Sequence, residues 1–257
     1  MAGLPVGRER VGPVATLTLR RPDRHNSLVP ELLRDLLARL DEVAADDRVR
    51  AVVLAAEGPS FSTGGDVREF ARREGDELVR YAEEIVGLLN AAVLRLLRLD
   101  LPVVAAVHGR VTGGSLGLVL ASDIVLVSPD ASFAPWYTTV GYGPDGGWTA
   151  LLPHRIGTAR ASAVQILNET VSAEDAVAWG LAHRIEDDVR KAARDAALRA
   201  AGQRAVAVTK RLLNADAHTA GVGGIAARLD AERRAFVAQI ATPEAREGMS
   251  AFLGGRA

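Results

Sequence analysis

Two continuous apolar runs, each followed by a glycine-containing loop and a helical pattern, constrain the fold of this chain most. The runs are residues 51–55 and 103–107, and the loops span residues 57–65 and 109–114. A short run without polar residues is typical of a strand that is buried on both faces of a sheet. Strand, loop and helix, repeated in this order, predict a layered α/β fold.

The remainder of the chain is dominated by helical spacing. Apolar residues recur at helical intervals in residues 30–43 and 76–99, and the pattern is almost wholly helical from about residue 187 onward. We therefore place an α/β core at residues 1–195 and a helical region at residues 196–257. One large unit with a helical appendage is favoured over two independent domains.

Composition excludes several classes of function. The chain has 257 residues, of which 48% are hydrophobic, a net charge of -1 and no cysteine. The balanced charge gives no basis for binding nucleic acid or an acidic membrane surface, and no disulfide or thiolate chemistry is available. No apolar run reaches the roughly 18 residues of a membrane span, and the N-terminus lacks the apolar stretch of a signal peptide. We expect a cytoplasmic protein without a membrane partner.

The two loops are the strongest candidates for chemistry. They read FSTGGD at residues 61–66 and HGRVTGGS at residues 108–115. Glycine allows close backbone approach to a ligand, and the start of a helix offers unpaired N–H groups. Two such ends that converge would form an oxyanion hole, in which one donor typically contributes about 3 kcal/mol. The alternative is that both loops are structural turns; neither contains the Gly-Lys-Ser/Thr of a phosphate loop.

The order and spacing of the two loops, about 50 residues apart, resemble the signature of the enoyl-CoA hydratase/isomerase (crotonase) superfamily. Further stretches resemble the family in collinear order over nearly the whole chain: residues 21–28, 101–109, 121–124, 141–147, 171–174, 179–181 and 247–253.

The resemblance implies a fold, a site and partners. The fold would be a ClpP/crotonase-like spiral of ββα units, with C-terminal helices that assemble a homotrimer or hexamer. The oxyanion donors would be the N–H groups of Gly65 and Gly114. The substrate would be an acyl-CoA thioester, held in the core, with no further cofactor and no metal; the five histidines show no metal-binding spacing.

The chain departs from the hydratase pattern at two positions. Family hydratases place one glutamate three residues after the second oxyanion glycine and another about two dozen residues later; these positions are Gly117 and Tyr137 here. Hydration requires a base for water and a proton for the α carbon, and a phenol with a pKa of about 10 does not replace a carboxylate. Ordinary hydration is therefore not expected.

One carboxylate, Asp145 in the segment GPDGG, stands where two branches of the family place an active aspartate. In isomerases it would shuttle a proton, and in 4-chlorobenzoyl-CoA dehalogenases it would attack the aromatic ring. The dehalogenases also require a helical histidine and a tryptophan, which are Asn90 and Tyr137 here. We favour an enoyl-CoA isomerase. A dehalogenase-like enzyme, an atypical hydratase or hydrolase, a non-catalytic acyl-CoA-binding paralogue and a purely structural helix-capping role for Asp145 stay open.

The resemblance also suggests residues that bind the substrate. Arg24 and Arg68 would lie near the CoA phosphates, which arginine binds bidentately, or would be solvated surface residues. Phe252 would reach the adenine of a neighbouring subunit. The complete set of binding candidates is Arg24, Ser62, Thr63, Arg68, Tyr137, Tyr142 and Phe252; the two tyrosines would line a pocket for a bulky or cyclic acyl group, or pack in the core.

Overall fold

The computed structural model describes residues 4–203, 205–214 and 221–255. Residues 204, 215–220 and 256–257, which belong to the expected C-terminal helical region, and residues 1–3 lie outside the described ranges. The strands are β1 (Val6–Val11), β2 (Val14–Leu19), β3 (Ala51–Ala56), β4 (Val103–Val107), β5 (Arg110–Thr112), β6 (Ile124–Val127), β7 (Ser132–Ala134), β8 (Val171–Ser172) and β9 (Arg184–Ile185). The helices are α1 (Pro30–Ala45), α2 (Val67–Ala71), α3 (Gly75–Arg98), α4 (Leu116–Leu120), α5 (Tyr137–Val140), α6 (Leu152–Ile156), α7 (Thr158–Ile166), α8 (Ala173–Trp179), α9 (Val189–Ala201), α10 (Val206–Asn214), α11 (Gly221–Ile240) and α12 (Pro243–Leu253).

The main sheet has the strand order β1-β2-β3-β4-β6-β9. The first pair is antiparallel and every later neighbour is parallel, so the carboxyl ends of β3, β4 and β6 point toward the same edge. A second sheet, ordered β5-β7-β8, stands beside it. The layered α/β expectation is confirmed.

Both faces of the main sheet are covered by helices, which explains the unbroken apolar sequence of β3 and β4. Val52 and Leu54 face the cluster that contains α1 and α3, whereas Val53 and Ala55 face α9. The facing residues of α9 are mainly alanines, and their small side chains let this helix lie close to the sheet. The expected boundary between residues 195 and 196 falls inside α9, which packs on the core.

The two helical patterns expected in the first hundred residues are confirmed. The 30–43 and 76–99 patterns correspond to α1 and α3. At the start of α8, the Ser172 hydroxyl accepts a hydrogen bond from the Asp175 N–H, and Gly180 ends the helix with a φ of 85°. Farther along, α11 packs along α3, and α12 contacts α2 and α5. No helix in the described ranges is long and apolar enough to cross a membrane.

Candidate active site

The two glycine loops meet at the carboxyl edge of the main sheet. Because β3 and β4 are parallel neighbours, the loops that follow them leave the same edge. The Phe61 N–H donates to the His108 carbonyl at 2.9 Å, and the Thr112 N–H donates to the Ser62 carbonyl at 3.1 Å. A Cβ atom at Gly64 would lie 2.6 Å from the Thr112 carbonyl oxygen. Only glycine permits this approach, so the expected convergence of the loops is observed.

Where the loops meet, two backbone donors have no acceptor among the described residues. The Leu28 N–H donates to the Gly64 carbonyl at 2.7 Å, and the Leu28 carbonyl accepts a hydrogen bond from the Asp66 N–H at 3.1 Å. The N–H of Gly65, which lies between these two bonded groups, therefore points away from Leu28. Gly114 lies in the helical turn that precedes α4, where N–H groups have no intrahelical partner. Within the described residues, neither N–H donates a hydrogen bond to backbone or side chain. The indole N–H of Trp148 donates to the Gly113 carbonyl at 2.7 Å and fixes this turn.

Asp145 lies directly against the second loop. A Cβ atom at Gly114 would be 2.7 Å from Oδ1 and 3.0 Å from Oδ2 of Asp145, so the carboxylate touches the glycine backbone. The side chain is 7% exposed. It caps no helix, because the residues after it form turns before α6 begins at Leu152. Burial raises the pKa of Asp145 to about 7, the hydrogen bond from Tyr137 opposes this rise, and the negative charge of Glu232 adds to it.

Tyr137 holds the Asp145 carboxyl group in place. Its hydroxyl donates to Oδ1 of Asp145 and lies 3.1 Å from the Asp145 carbonyl oxygen. Burial, together with the nearby carboxylate, raises the pKa of Tyr137 well above its usual value, so the phenol stays protonated. The preceding residue, Trp136, has a φ of 60°, a strained conformation for a bulky residue. Its N–H donates to the side chain of Asn168 at 2.8 Å, which supports the turn that presents Tyr137.

Glu232 of α11 is a buried carboxylate that no local pattern in the sequence identifies. It is 4% exposed and accepts hydrogen bonds from the N–H groups of Gly147, Thr149 and Ala150 at 2.6 to 2.8 Å. It also accepts a hydrogen bond from the Thr149 hydroxyl. Glu232 therefore fixes the turn that follows Asp145, from a position more than 80 residues away in sequence. Only the three-dimensional packing of α11 reveals this contact.

The position of the first hydratase glutamate is closed to any side chain. A Cβ atom at Gly117 would lie 2.2 Å from the carbonyl oxygen of Gly146 and 3.0 Å from its carbonyl carbon. The turn after Asp145 therefore occupies the space that a glutamate side chain would need. A side chain at position 117 and the turn after Asp145 therefore exclude each other, because both would occupy the same space.

Four of the expected CoA-binding residues lie around the first loop, and they differ in exposure and in hydrogen-bond partners. Arg24 forms an ion pair with the buried carboxylate of Asp66, with 2.9 Å between Nη2 and Oδ2, and retains 34% side-chain exposure. Arg68 is exposed at the start of α2. The Ser62 hydroxyl is buried and donates to the Asn26 carbonyl at 2.7 Å, so it joins the first loop to the segment around Asn26. Thr63 is half-buried, and its N–H donates to the His25 carbonyl at 3.1 Å.

The remaining candidates lie farther along the chain. Tyr142 belongs to a group of aromatic rings near the first loop. Phe252 of α12 packs edge-on against Trp136 of its own chain, with ring centroids 6.1 Å apart. Asn90, at the position of the dehalogenase histidine, donates to the Leu229 carbonyl at 3.0 Å between α3 and α11. No cluster of three or more metal-binding side chains is found in the described ranges.

The nearby hydroxyl of Ser115 is engaged in the loops. It is fully buried and bonds to the carbonyl oxygens of Ser62 at 2.9 Å and Thr112 at 2.7 Å. This hydroxyl joins the two loops to each other, and no histidine approaches it within hydrogen-bond distance in the described residues. A serine nucleophile is therefore not supported.

The geometry can be set beside known proteins. The family model described as enoyl-CoA hydratase/isomerase matches residues 9–257. An enoyl-CoA hydratase from Mycobacterium avium subsp. paratuberculosis K-10 has the same fold, with a TM-score of 0.85, 28% identity, and coverage of 98% of this chain and 96% of that chain. The chain belongs to the enoyl-CoA hydratase/isomerase family, and the expected crotonase fold is confirmed.

Curated relatives carry several activities. The 1,2-epoxyphenylacetyl-CoA isomerase of Escherichia coli (strain K12) is 33% identical over 245 residues, which cover 95% of this chain and 93% of that protein. The 4-chlorobenzoyl coenzyme A dehalogenase-2 of Arthrobacter sp is 32% identical over 177 residues. That match covers 69% of this chain and 64% of the dehalogenase, so it spans less than two thirds of the relative's length.

Proposed function

We propose that this protein is an acyl-CoA isomerase in which Asp145 moves a proton between two carbons of an enoyl thioester. The observation that carries the proposal is the contact of one buried carboxylate, Asp145, with the backbone of Gly114, beside two N–H groups that have no acceptor in the described part of the chain. A non-catalytic binder has no need of such a carboxylate, because keeping an ionisable group buried is unfavourable.

The proposed reaction assigns a role to each of these groups. The thioester carbonyl oxygen accepts hydrogen bonds from the N–H groups of Gly65 and Gly114, which stabilise the negative charge of the dienolate. Ionised Asp145 removes a proton from one carbon of the acyl chain, and the electron pair of that C–H bond moves into the conjugated system. Protonated Asp145 then returns the proton two carbons away, so the double bond migrates and no atom is gained or lost.

The protonation behaviour of Asp145 suits a shuttle. A group that both takes and returns a proton works best with a pKa near the working pH, and the pKa of Asp145 is raised to about 7. Hydration is disfavoured because it needs a second acid-base group, and the two positions that supply it in hydratases are Gly117 and Tyr137. Dehalogenation is disfavoured because Asn90, whose amide donates to the Leu229 carbonyl, stands in place of the histidine base that dehalogenases require. The E. coli relative supports an isomerase by its name.

The proposal includes the CoA moiety and the assembly. Arg24 and Arg68, which both lie near the first loop, are proposed to contact CoA phosphates, with Ser62 and Thr63 forming the neighbouring backbone.

We propose a homotrimer or hexamer assembled by residues 196–257. Exposed apolar residues in this region, Leu212 at 71% and Leu213 at 75%, support a contact between copies. CoA enters as part of the substrate, and no separate cofactor is proposed.

Incubation with 2-enoyl- and 3-enoyl-CoA thioesters in D₂O tests the reaction. We expect the double bond to migrate, with incorporation of deuterium and no addition of water, as followed by mass spectrometry and by absorbance of the conjugated thioester. A product heavier by one water would identify a hydratase instead. Release of chloride from 4-chlorobenzoyl-CoA would identify a dehalogenase, and binding of all three thioesters without turnover would identify a non-catalytic binder.

The pH dependence of kcat/KM should move in opposite directions in two variants. Activity should rise as pH increases through about 7, where Asp145 ionises. Tyr137→Phe removes a hydrogen bond that lowers the pKa of Asp145, so the rise should shift to higher pH. Glu232→Gln removes a negative charge that raises this pKa, so the rise should shift to lower pH. Each shift should be about half a unit to one unit, since a hydrogen bond or a nearby charge contributes about 1 kcal/mol. Equal profiles in all three proteins would contradict the role of Asp145 as the base.

A further inference from the structure

The peptide unit that joins Gly113 to Gly114 carries one of the two proposed oxyanion donors. Its N–H belongs to Gly114 and its carbonyl belongs to Gly113, so the two groups share one plane and point in opposite directions. The indole N–H of Trp148 donates to this carbonyl at 2.7 Å, and the Leu116 N–H of the same helical turn donates to it as well. Both lone pairs of the carbonyl oxygen are therefore occupied, and the direction of the Gly114 N–H is fixed through the plane of the peptide.

A hydrogen bond to a carbonyl also strengthens the N–H donor of the same peptide unit. When the carbonyl oxygen is bonded, electron density moves from nitrogen toward oxygen, because the C–N bond already has partial double-bond character. The N–H becomes more positive, and hydrogen bonds in such a chain strengthen one another by about 10 to 30% each. The indole of Trp148 is thus placed to act on the Gly114 N–H from the side opposite to the substrate.

The first donor has the same arrangement, built from backbone alone. The Gly64 carbonyl shares a peptide unit with the Gly65 N–H and accepts the Leu28 N–H at 2.7 Å. Both proposed donors therefore have a hydrogen bond of 2.7 Å at the far end of their peptide unit. At Gly65 this bond comes from main chain, whereas at Gly114 it comes from the Trp148 side chain. The second bond can be removed by substitution without altering the backbone.

Trp148 is held firmly in this position. It is 1% exposed, and the N–H groups of its two chain neighbours, Gly147 and Thr149, both donate to Glu232. The Trp148 carbonyl accepts a hydrogen bond from the side-chain amide of Gln165 at 3.0 Å. Because the backbone is anchored on both sides of Trp148, the indole N–H stays directed at the second loop.

The same turn carries the proposed base. Asp145 precedes Trp148 by three residues. The Trp148 ring packs edge-on against Tyr137, with ring centroids 6.2 Å apart and an interplanar angle of 85°, and Tyr137 donates to the Asp145 carboxylate. The group that takes the proton and the group that orients the oxyanion donor therefore lie on one short segment.

We infer that Trp148 is a positioning residue, which orients the Gly114 N–H toward the thioester oxygen and strengthens it as a donor. The inference rests on the proposed function for the placement of that oxygen. The contribution of Trp148 grows as negative charge develops on the oxygen, because hydrogen bonds to charged groups are about twice as strong as those between neutral groups. Trp148 therefore affects formation of the dienolate more than binding of the neutral thioester.

Two variants that lack the indole N–H test the inference. Trp148→Phe keeps an aromatic ring, and replacement of Trp148 by 3-benzothienylalanine keeps the shape of the indole, because sulfur takes the place of the N–H. We expect kcat for double-bond migration to fall about 10-fold in both, less than the loss of about 10² to 10³ on removal of a whole oxyanion donor. The dissociation constant of butyryl-CoA should change by less than about 2-fold. Trp179→Phe, in α8, is the matched control and should keep the parent values, because this ring packs under the Arg160 guanidinium.

Infrared difference spectroscopy of bound butyryl-CoA, isotope-labelled at the thioester carbonyl, separates positioning from a purely structural role. Hydrogen bonds from the two N–H groups lower the stretching frequency of this carbonyl in the parent protein. In both Trp148 variants we expect the band to move part of the way back toward that of the free thioester. An unchanged band in both variants, or a parent-like kcat in the 3-benzothienylalanine protein, would overturn the inference.

The same spectra distinguish failure of the inference from failure of the proposed function. A parent protein that binds butyryl-CoA without lowering the carbonyl frequency would refute the placement of the thioester, and the inference with it. A parent protein that lowers the frequency in a Trp148-dependent way but moves no double bond would refute the isomerase reaction and support the role of Trp148 at the oxyanion donor.

Discussion

Replacing Asp145 with asparagine should lower kcat by a factor of about 10² to 10⁴, the usual contribution of a general base. Asparagine has nearly the same shape as aspartate and can still accept the hydrogen bond from Tyr137. It cannot take a proton from carbon, so the dienolate would not form. The dissociation constant of a saturated acyl-CoA should change little, because the N–H groups of Gly65 and Gly114 are retained. Stopped assays of double-bond migration, with titration calorimetry for binding, measure the two quantities.

The stability of the Asp145→Asn variant separates loss of chemistry from loss of folding. The pKa of Asp145 is raised to about 7 in the folded protein, above its ordinary value of about 3.9. Its contribution to stability is therefore fully present below about pH 4 and is lost as pH rises through about 7. Relative to the parent, the asparagine variant should gain stability over this window. Urea denaturation at pH 5 and pH 8 measures the difference. Full activity in a folded variant would rule out Asp145 as the base.

The sequence predicted those parts of the site that contiguous residues encode. Each glycine loop contains its own strand end, glycine pair and helix start, so the local pattern identifies both loops as candidates for a site. The assignment of donors to Gly65 and Gly114 came from the resemblance to the family, because the local pattern alone left structural turns as an alternative. Asp145 was likewise identified by the resemblance, since a short glycine-rich segment with one aspartate predicts a helix cap equally well. The alternation of Val52 and Leu54 with Val53 and Ala55 likewise follows from burial on both faces of a sheet.

Long-range contacts were not predictable in the same way. Glu232 lies on a helix rich in charged residues, and nothing nearby in sequence distinguishes it from a solvated residue. Its role depends on how α11 packs along α3, which places it against the N–H groups of residues 147–150. The partnership of Arg24 with Asp66 is similar, since the two residues are 42 positions apart. Such pairings are set by tertiary packing rather than by local pattern.

Restoring a glutamate at position 117 should not restore hydration, and should instead destabilise the protein. A Cβ atom there would lie 2.2 Å from the Gly146 carbonyl oxygen, and backbone cannot move aside as a flexible side chain can. Gly117→Ala should already lower the free energy of unfolding by about 3 kcal/mol, at the upper end of overpacking effects. Gly117→Glu adds a buried charge and should be more severe. Both variants should lose activity, because the turn that carries Asp145 is displaced from Gly114.

Gly87 provides a matched control for this prediction. It lies within α3, and a Cβ atom there would have no neighbour within 4 Å. Gly87→Ala should therefore be neutral or stabilising by about 0.5 to 1 kcal/mol, because alanine favours a helix interior over glycine. Urea denaturation of Gly117→Ala and Gly87→Ala, together with an assay for hydrated product in Gly117→Glu, measures the contrast. A stable Gly117→Glu protein that hydrates enoyl-CoA would show that the turn after Asp145 can yield. In that case the chain would have the backbone of a hydratase and would lack only the glutamate. A large loss of unfolding free energy in Gly117→Ala, with none in Gly87→Ala, would instead show that the backbone after Asp145 excludes a side chain at position 117.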